Sequence, residues 1–154
     1  MSTPKRSRGF SLIELLIVIT IILLIITVAV PKYQHIQMAA RETAAVAAIK
    51  TIHTVEVQYQ SQYGRYATSL AELGPPVSGN PSASSADLIG NDLSNGEKQG
   101  YKFTLTGTPG GYVILAAPVS YNSSGSKNYY SDQSMVVRIN EGPEPATAQS
   151  KEMR

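Results

Sequence analysis

The chain contains no cysteine and no tryptophan in 154 residues. Without cysteine there is no disulfide framework, no thiolate metal site and no cysteine nucleophile. The fold must therefore be held by packing. Histidine is almost as scarce. His35 and His53 lie eighteen residues apart with no cluster of acids beside them, so no metal site is legible and solvated or interface histidines are expected. No nucleophile elbow is present, no glycine loop is suited to cradling phosphate, and Glu42 and Glu56 do not make a pair for acid–base work. No enzyme and no cofactor are indicated. Of 13 basic side chains three precede Gly9, leaving ten against eleven acidic ones. The rest of the chain is thus near neutral, without a basic field for nucleic acid or anionic lipid, and no nucleic acid is expected as a partner.

What the sequence does have is concentrated at its start. Lys5, Arg6 and Arg8 precede Gly9-Phe10-Ser11-Leu12-Ile13-Glu14, which runs straight into an apolar stretch ending at Val30. Twenty-one residues of helix, Phe10 to Val30, span about 30 Å, enough to cross a bilayer. Glu14 is the one charge in that stretch, and a carboxylate in hydrocarbon costs several kcal/mol unless it has a partner. The cations before the span, against the single Lys32 after it, place the N-terminus inside and the bulk of the chain outside. An ordinary secretory signal would have a shorter apolar region and a small-residue cleavage site. Thr27-Val28-Ala29 is a poor version of that site, and Glu14 has no use in such a signal.

The residues Gly9 to Ile19, behind a short basic leader, resemble the N-terminus of the type IV pilin family, which includes the pseudopilins of type II secretion. The close match covers Arg8 to Pro31. The resemblance implies cleavage by a prepilin peptidase between Gly9 and Phe10, N-methylation of Phe10, and extraction from the bacterial inner membrane by an assembly platform. It also implies helical polymerisation through the N-terminal helix into a homo-oligomeric filament at the cell surface or in the periplasm. In that setting Glu14 would accept a charge-assisted hydrogen bond from the Phe10 amine of a neighbouring copy. Gly9 would let the peptidase approach the backbone closely. Many pilins close their C-terminal region with a disulfide, which this chain cannot do. Pilins commonly carry a proline where Pro31 stands, and a kink or local unwinding is expected there.

Five segments follow: a leader over 1–9, a transmembrane and filament-core helix over 10–31, an amphipathic continuation over 32–63, a small globular domain over 64–140 and a loose tail over 141–154. Val46, Ile49, Ile52, Val55, Tyr59 and Tyr63 recur at helical steps, with Lys50, Thr54, Gln58 and Gln62 on another face. The alanines at 39, 40, 44, 45, 47 and 48 keep part of the helix slim. A helix from Phe10 to Tyr63 would be about 80 Å long, more than a small domain can cover, so it must have partners. Gly64 is suited to stopping it. Tyr66 to Leu73 predicts a turn and short helix capped by Thr68 or Ser69, with Leu70 and Leu73 facing the core. Pro75 to Gly100 predicts a long polar connection. Tyr101–Thr106 and Tyr112–Ala117, joined through a turn at Thr108-Pro109-Gly110-Gly111, predict a hairpin. Ser134–Ile139, centred on Met135-Val136-Val137, predicts a third strand. The sum is an α+β arrangement, a long helix packed on a small antiparallel sheet.

Two alternatives accompany the filament subunit. A major pseudopilin would be expected to carry an acidic calcium-binding loop near its end, whereas the late acids here are Asp132, Glu141, Glu144 and Glu152, scattered among prolines. A minor pilin, acting as an adhesin or DNA-binding tip protein, would use the loops Pro75–Gly100 or Tyr121–Tyr130. Phe10, Tyr33, Tyr59, Tyr63, Tyr66, Tyr129 and Tyr130 are read as core and interface residues rather than as a path of stacked rings for electrons.

Overall fold

The computed structural model describes residues 9–153. Lys5, Arg6 and Arg8, and with them nearly all of the expected leader, lie outside the described residues. The chain divides into two compact units at Ile36/Gln37. Helix α1, Leu12–Tyr63, supplies nearly all of the described residues of the first unit and continues into the second. It runs unbroken through Pro31, without the local unwinding that the proline made expected. It ends at Gly64, whose φ of 73° is the left-handed conformation that glycine adopts without a Cβ penalty, and whose N–H donates to the Gln60 carbonyl.

In the second unit the apolar stripe of α1 is buried where the periodicity places it. Val46, Ile49, Ile52, Val55 and Tyr59 enter the core, while Lys50, Thr54, Gln58 and Gln62 are exposed. The core is completed by a six-stranded antiparallel sheet in which each strand pairs with the next in sequence. Its strands are β1 (Glu97–Lys98), β2 (Tyr101–Thr108), β3 (Gly111–Pro118), β4 (Asn128–Asp132), β5 (Arg138–Asn140) and β6 (Lys151–Glu152). The predicted hairpin is β2–β3. Tyr101, Phe103 and Leu105 point inward and Lys102, Thr104 and Thr106 outward, and the register pairs Phe103 with Ala116 and Leu105 with Ile114 on the buried face. Burial of these aromatic and branched side chains supplies most of the stabilisation. The architecture is α+β, a long helix with an antiparallel sheet, as the pattern implies.

Three expectations need correction. The third strand is not at Ser134–Ile139. Asp132 accepts the Ser134 N–H at 2.9 Å, and Met135 sits at φ 62°. That turn breaks the apolar Met-Val-Val run, and the pairing residues are Asn128–Asp132 and Arg138–Asn140 on either side of it. The expected tail is not loose over its described residues, 141–153. Ile139 pairs with Lys151, the Arg138 guanidinium reaches the Ser150 carbonyl and the Glu152 carboxylate, Asn128 donates to the Gly142 carbonyl, and Ala146 is buried. Nor is Pro75–Gly100 a free loop. It contains helix α3 (Asn91–Ser94) and strand β1, and buries Ala86, Ile89 and Leu93. Its backbone returns hydrogen bonds to Glu72, Leu73 and Gly74 around helix α2 (Leu70–Leu73). Leu70 and Leu73 are buried, but Ser69 makes no side-chain cap. Glu72 instead reaches back to the Thr68 N–H and hydroxyl.

One glycine is fixed by sterics. A Cβ on Gly125 would run into the Tyr101 ring, which is fully buried, held by its hydroxyl on the Lys127 carbonyl and packed against Tyr129. Gly125→Ala is expected to destabilise the globular unit by about 1–3 kcal/mol through overpacking, visible as a lower urea midpoint with an unchanged slope.

Candidate assembly and processing segment

The first turn of α1 follows from four residues. Ser11 stands just before the helix, and its carbonyl accepts the first helical bond from the Leu15 N–H at 3.2 Å. Glu14, three residues later, turns back so that Oε2 accepts the Ser11 N–H at 3.4 Å. A serine followed at that spacing by a glutamate is the sequence of a capping box, and the glutamate half of it is formed here. The carboxylate also sits where the helix dipole favours a negative charge. Glu14 therefore has a role inside its own subunit that sequence reading did not assign to it. Phe10 is 83% exposed just before this turn, and among the described residues nothing lies within 4 Å of where a Cβ on Gly9 would stand. Phe10 and Glu14 thus lie at the same helix end.

Beyond this turn the large side chains from Leu12 to Val30 are exposed. The helix is long and apolar enough to cross a membrane. Its two hydroxyl residues in this stretch make no demand on solvent, because Thr20 donates to the Leu16 carbonyl and Thr27 to the Leu24 carbonyl, both at 2.7 Å. An apolar surface of this extent in contact with water is far larger than a soluble monomer tolerates.

Other polar side chains cluster within the globular unit, and sequence reading left them out of the core. His53, expected to be solvated or at an interface, is buried between the Tyr112 hydroxyl (2.7 Å to Nδ1) and the Ser131 hydroxyl (2.8 Å to Nε2). Ser131 donates to the Val136 carbonyl at 2.9 Å, so it accepts from Nε2–H, and in the neutral ring Nδ1 accepts from Tyr112. This order suits a neutral imidazole, which burial favours by lowering the pKa. It also points the serine proton away from the histidine in a fully buried site, which is the wrong arrangement for a nucleophile. Glu42 accepts from the Ser126 N–H and hydroxyl and from the Lys127 ammonium at 2.8–3.0 Å, tying the β3–β4 connection to α1. Burial pushes its carboxyl up, but these donors outweigh it and hold the group below the usual range. Glu56 is fully buried and accepts only the Ala67 N–H. The signal for all three was phase: positions 42, 53 and 56 fall on the same helical stripe as Val46, Ile49, Ile52 and Tyr59. Among the described residues no group of three or more metal-ligating side chains gathers.

Residues 4–30 match the family described as the prokaryotic N-terminal methylation motif. Over 76 residues the chain is 34% identical to the type IV major pilin protein PilA of Myxococcus xanthus (strain DK1622), a stretch that covers 49% of this chain and 34% of that relative. The chain thus matches about a third of the length of that curated relative. No solved structure matches. The chain carries a prokaryotic N-terminal methylation motif at the head of a helix long and apolar enough to cross a membrane.

Proposed function

We propose that this chain is a structural subunit of a type IV pilus-like filament rather than an enzyme. Prepilin peptidase would cut between Gly9 and Phe10 on the cytoplasmic face, and the new Phe10 amine would be methylated. The segment from Phe10 to Val30 holds the free subunit in the inner membrane. After extraction by an assembly platform the same surface packs against neighbouring copies. Lipid already satisfies that apolar surface, so burial alone gains little on assembly, and specific pairing of Glu14 with a neighbour's Phe10 amine sets the register.

The observation that carries this reading is an exposed apolar helix that opens on a methylation motif with an acid in its first turn. The resemblance to a major pilin favours a pilus over a secretion pseudopilus. Mass spectrometry of fibres sheared from cells is the test. An abundant peptide beginning at methylated Phe10 is expected. Mature protein confined to membranes and missing from fibres would favour the pseudopilin, and protein still beginning at Met1, or trimmed after Ala29, would overturn the reading.

A further inference from the structure

The end of α1 carries a buried carboxylate for which neither the filament nor the core has an evident need. Glu56 has no exposed surface; one oxygen accepts the Ala67 N–H at 3.0 Å and the other, Oε1, has no hydrogen-bond partner. The next residue, Thr68, is held by a different acid, since its N–H and hydroxyl donate to Glu72 at 3.0 and 2.8 Å. Two carboxylates therefore hold consecutive residues of one short connection, one from α1 and one from α2. Glu72 is also paired with Arg65 at 2.9 Å and receives the Tyr59 hydroxyl. The groups that face Glu56 are Glu72 and Arg65 from the connection and α2, Tyr112 from β3, and Ala67 as donor. A proton on Glu56 removes the repulsion from Glu72. An ionised Glu56 has one fully buried oxygen without a protein donor, which favours any opening that lets water reach it.

We propose that Glu56 is a proton-operated latch on residues 65–73: protonated, it holds the connection closed against the end of α1; ionised, it favours an opened connection in which the carboxylate is hydrated. Burial, with Glu72 adding to it and the Ala67 and Arg65 contacts opposing, moves the carboxyl from an ordinary 4.5 to about 7. Ionisation therefore falls within the physiological range. The latch does not depend on filament assembly, since every group in it belongs to one globular unit.

The test uses the full chain in detergent micelles. The Glu56 carboxyl is followed by carbon NMR, and the Ala67 amide by hydrogen exchange normalised to its intrinsic rate, from pH 5.5 to 8.5. With a closed-state midpoint near 7 and an open-state midpoint near 4.5, the opening constant should rise about tenfold from pH 6 to pH 8. Glu56→Gln should abolish that rise, while exchange at Ser126, held by Glu42, stays level in both proteins. If Glu56→Gln does not fold, Glu72→Gln serves instead, because removing the facing charge should lower the Glu56 midpoint. A Glu56 carboxyl that titrates below pH 5, an Ala67 dependence that persists in Glu56→Gln, or a midpoint unmoved by Glu72→Gln overturns the latch.

Discussion

Glu14→Ala is expected to leave cleavage between Gly9 and Phe10 intact and to reduce filament yield at least about a hundredfold. The size follows from what the side chain does in each state. In the isolated subunit Glu14 only closes half of a capping box with Ser11, a contact worth about 1 kcal/mol or less at an exposed helix end. In the proposed filament it faces a neighbour's amine in a dry core, and deleting one partner of a buried ion pair leaves the other uncompensated, at a cost of about 3–5 kcal/mol. That penalty recurs at every subunit added. Glu14→Gln separates the two roles. Glutamine still accepts the Ser11 N–H and so keeps the cap, but it brings no charge to the amine. If Glu14→Gln assembles as well as the natural protein, capping is the whole role of this residue and the pairing is wrong. If both variants are processed and neither forms fibres, the charge is what assembly uses. Immunoblots of cell-bound precursor and mature forms, beside sheared-fibre yield, read both quantities.

The N-terminal motif was legible because it is written in neighbouring residues: a basic leader, a glycine, an aromatic and an acid four residues further on need no knowledge of the fold. The stripe from Val46 to Tyr59 was legible for the same reason, and so was the β2–β3 hairpin, whose strands are joined by a two-residue turn at Pro109-Gly110. What could not be read depends on partners distant in sequence. His53 finds Tyr112 and Ser131 at separations of 59 and 78 residues, and Glu42 finds Ser126 at 84. Residue type alone put His53 at solvent or an interface and gave Glu42 and Glu56 no place in the core, where helical phase would have put all three inside. Strand β6 has two residues and no apolar pattern of its own. It exists because Arg138 reaches Glu152 and the Ser150 carbonyl, and the Met153 N–H finds the Val137 carbonyl. Strand β4 was hidden by the polar residues around Tyr129-Tyr130, and Asp132 ended it by a local turn that outcompeted the apolar Met-Val-Val run.

The largest loss of stability is expected from His53→Ala. The imidazole fills the core between α1 and the sheet and satisfies two buried hydroxyls. Ser131 keeps its bond to Val136, but the Tyr112 hydroxyl loses its acceptor, at about 1–3 kcal/mol for a buried polar group left unpaired. The cavity left by the ring adds to that, for a total of about 3–5 kcal/mol, a large part of a small domain's stability. The pH profile tells this histidine apart from any other core residue. Burial lowers its pKa from the usual 6.5, and Asp132 opposes this only in part. Below pH 6.5 the unfolded chain takes up a proton that folded His53 refuses, so its contribution to stability is present above that pH and lost as the pH falls. Glu56 acts with the opposite sign. Its folded pKa of about 7 lies above the ordinary 4.5, so its contribution is full below pH 4.5 and is lost as the pH rises toward 7. Just below pH 6.5 the two groups therefore tilt the stability profile in opposite directions, Glu56 by up to about 1.4 kcal/mol per pH unit. In the natural protein these two slopes oppose one another there. His53→Ala should lose stability as the pH rises toward 7, and Glu56→Gln should lose it as the pH falls below 6.5. Urea unfolding followed by tyrosine fluorescence, feasible in a chain with nine tyrosines and no tryptophan, reads all three profiles. A His53→Ala profile parallel to that of the natural protein would mean that His53 is not a neutral core group held between Tyr112 and Ser131.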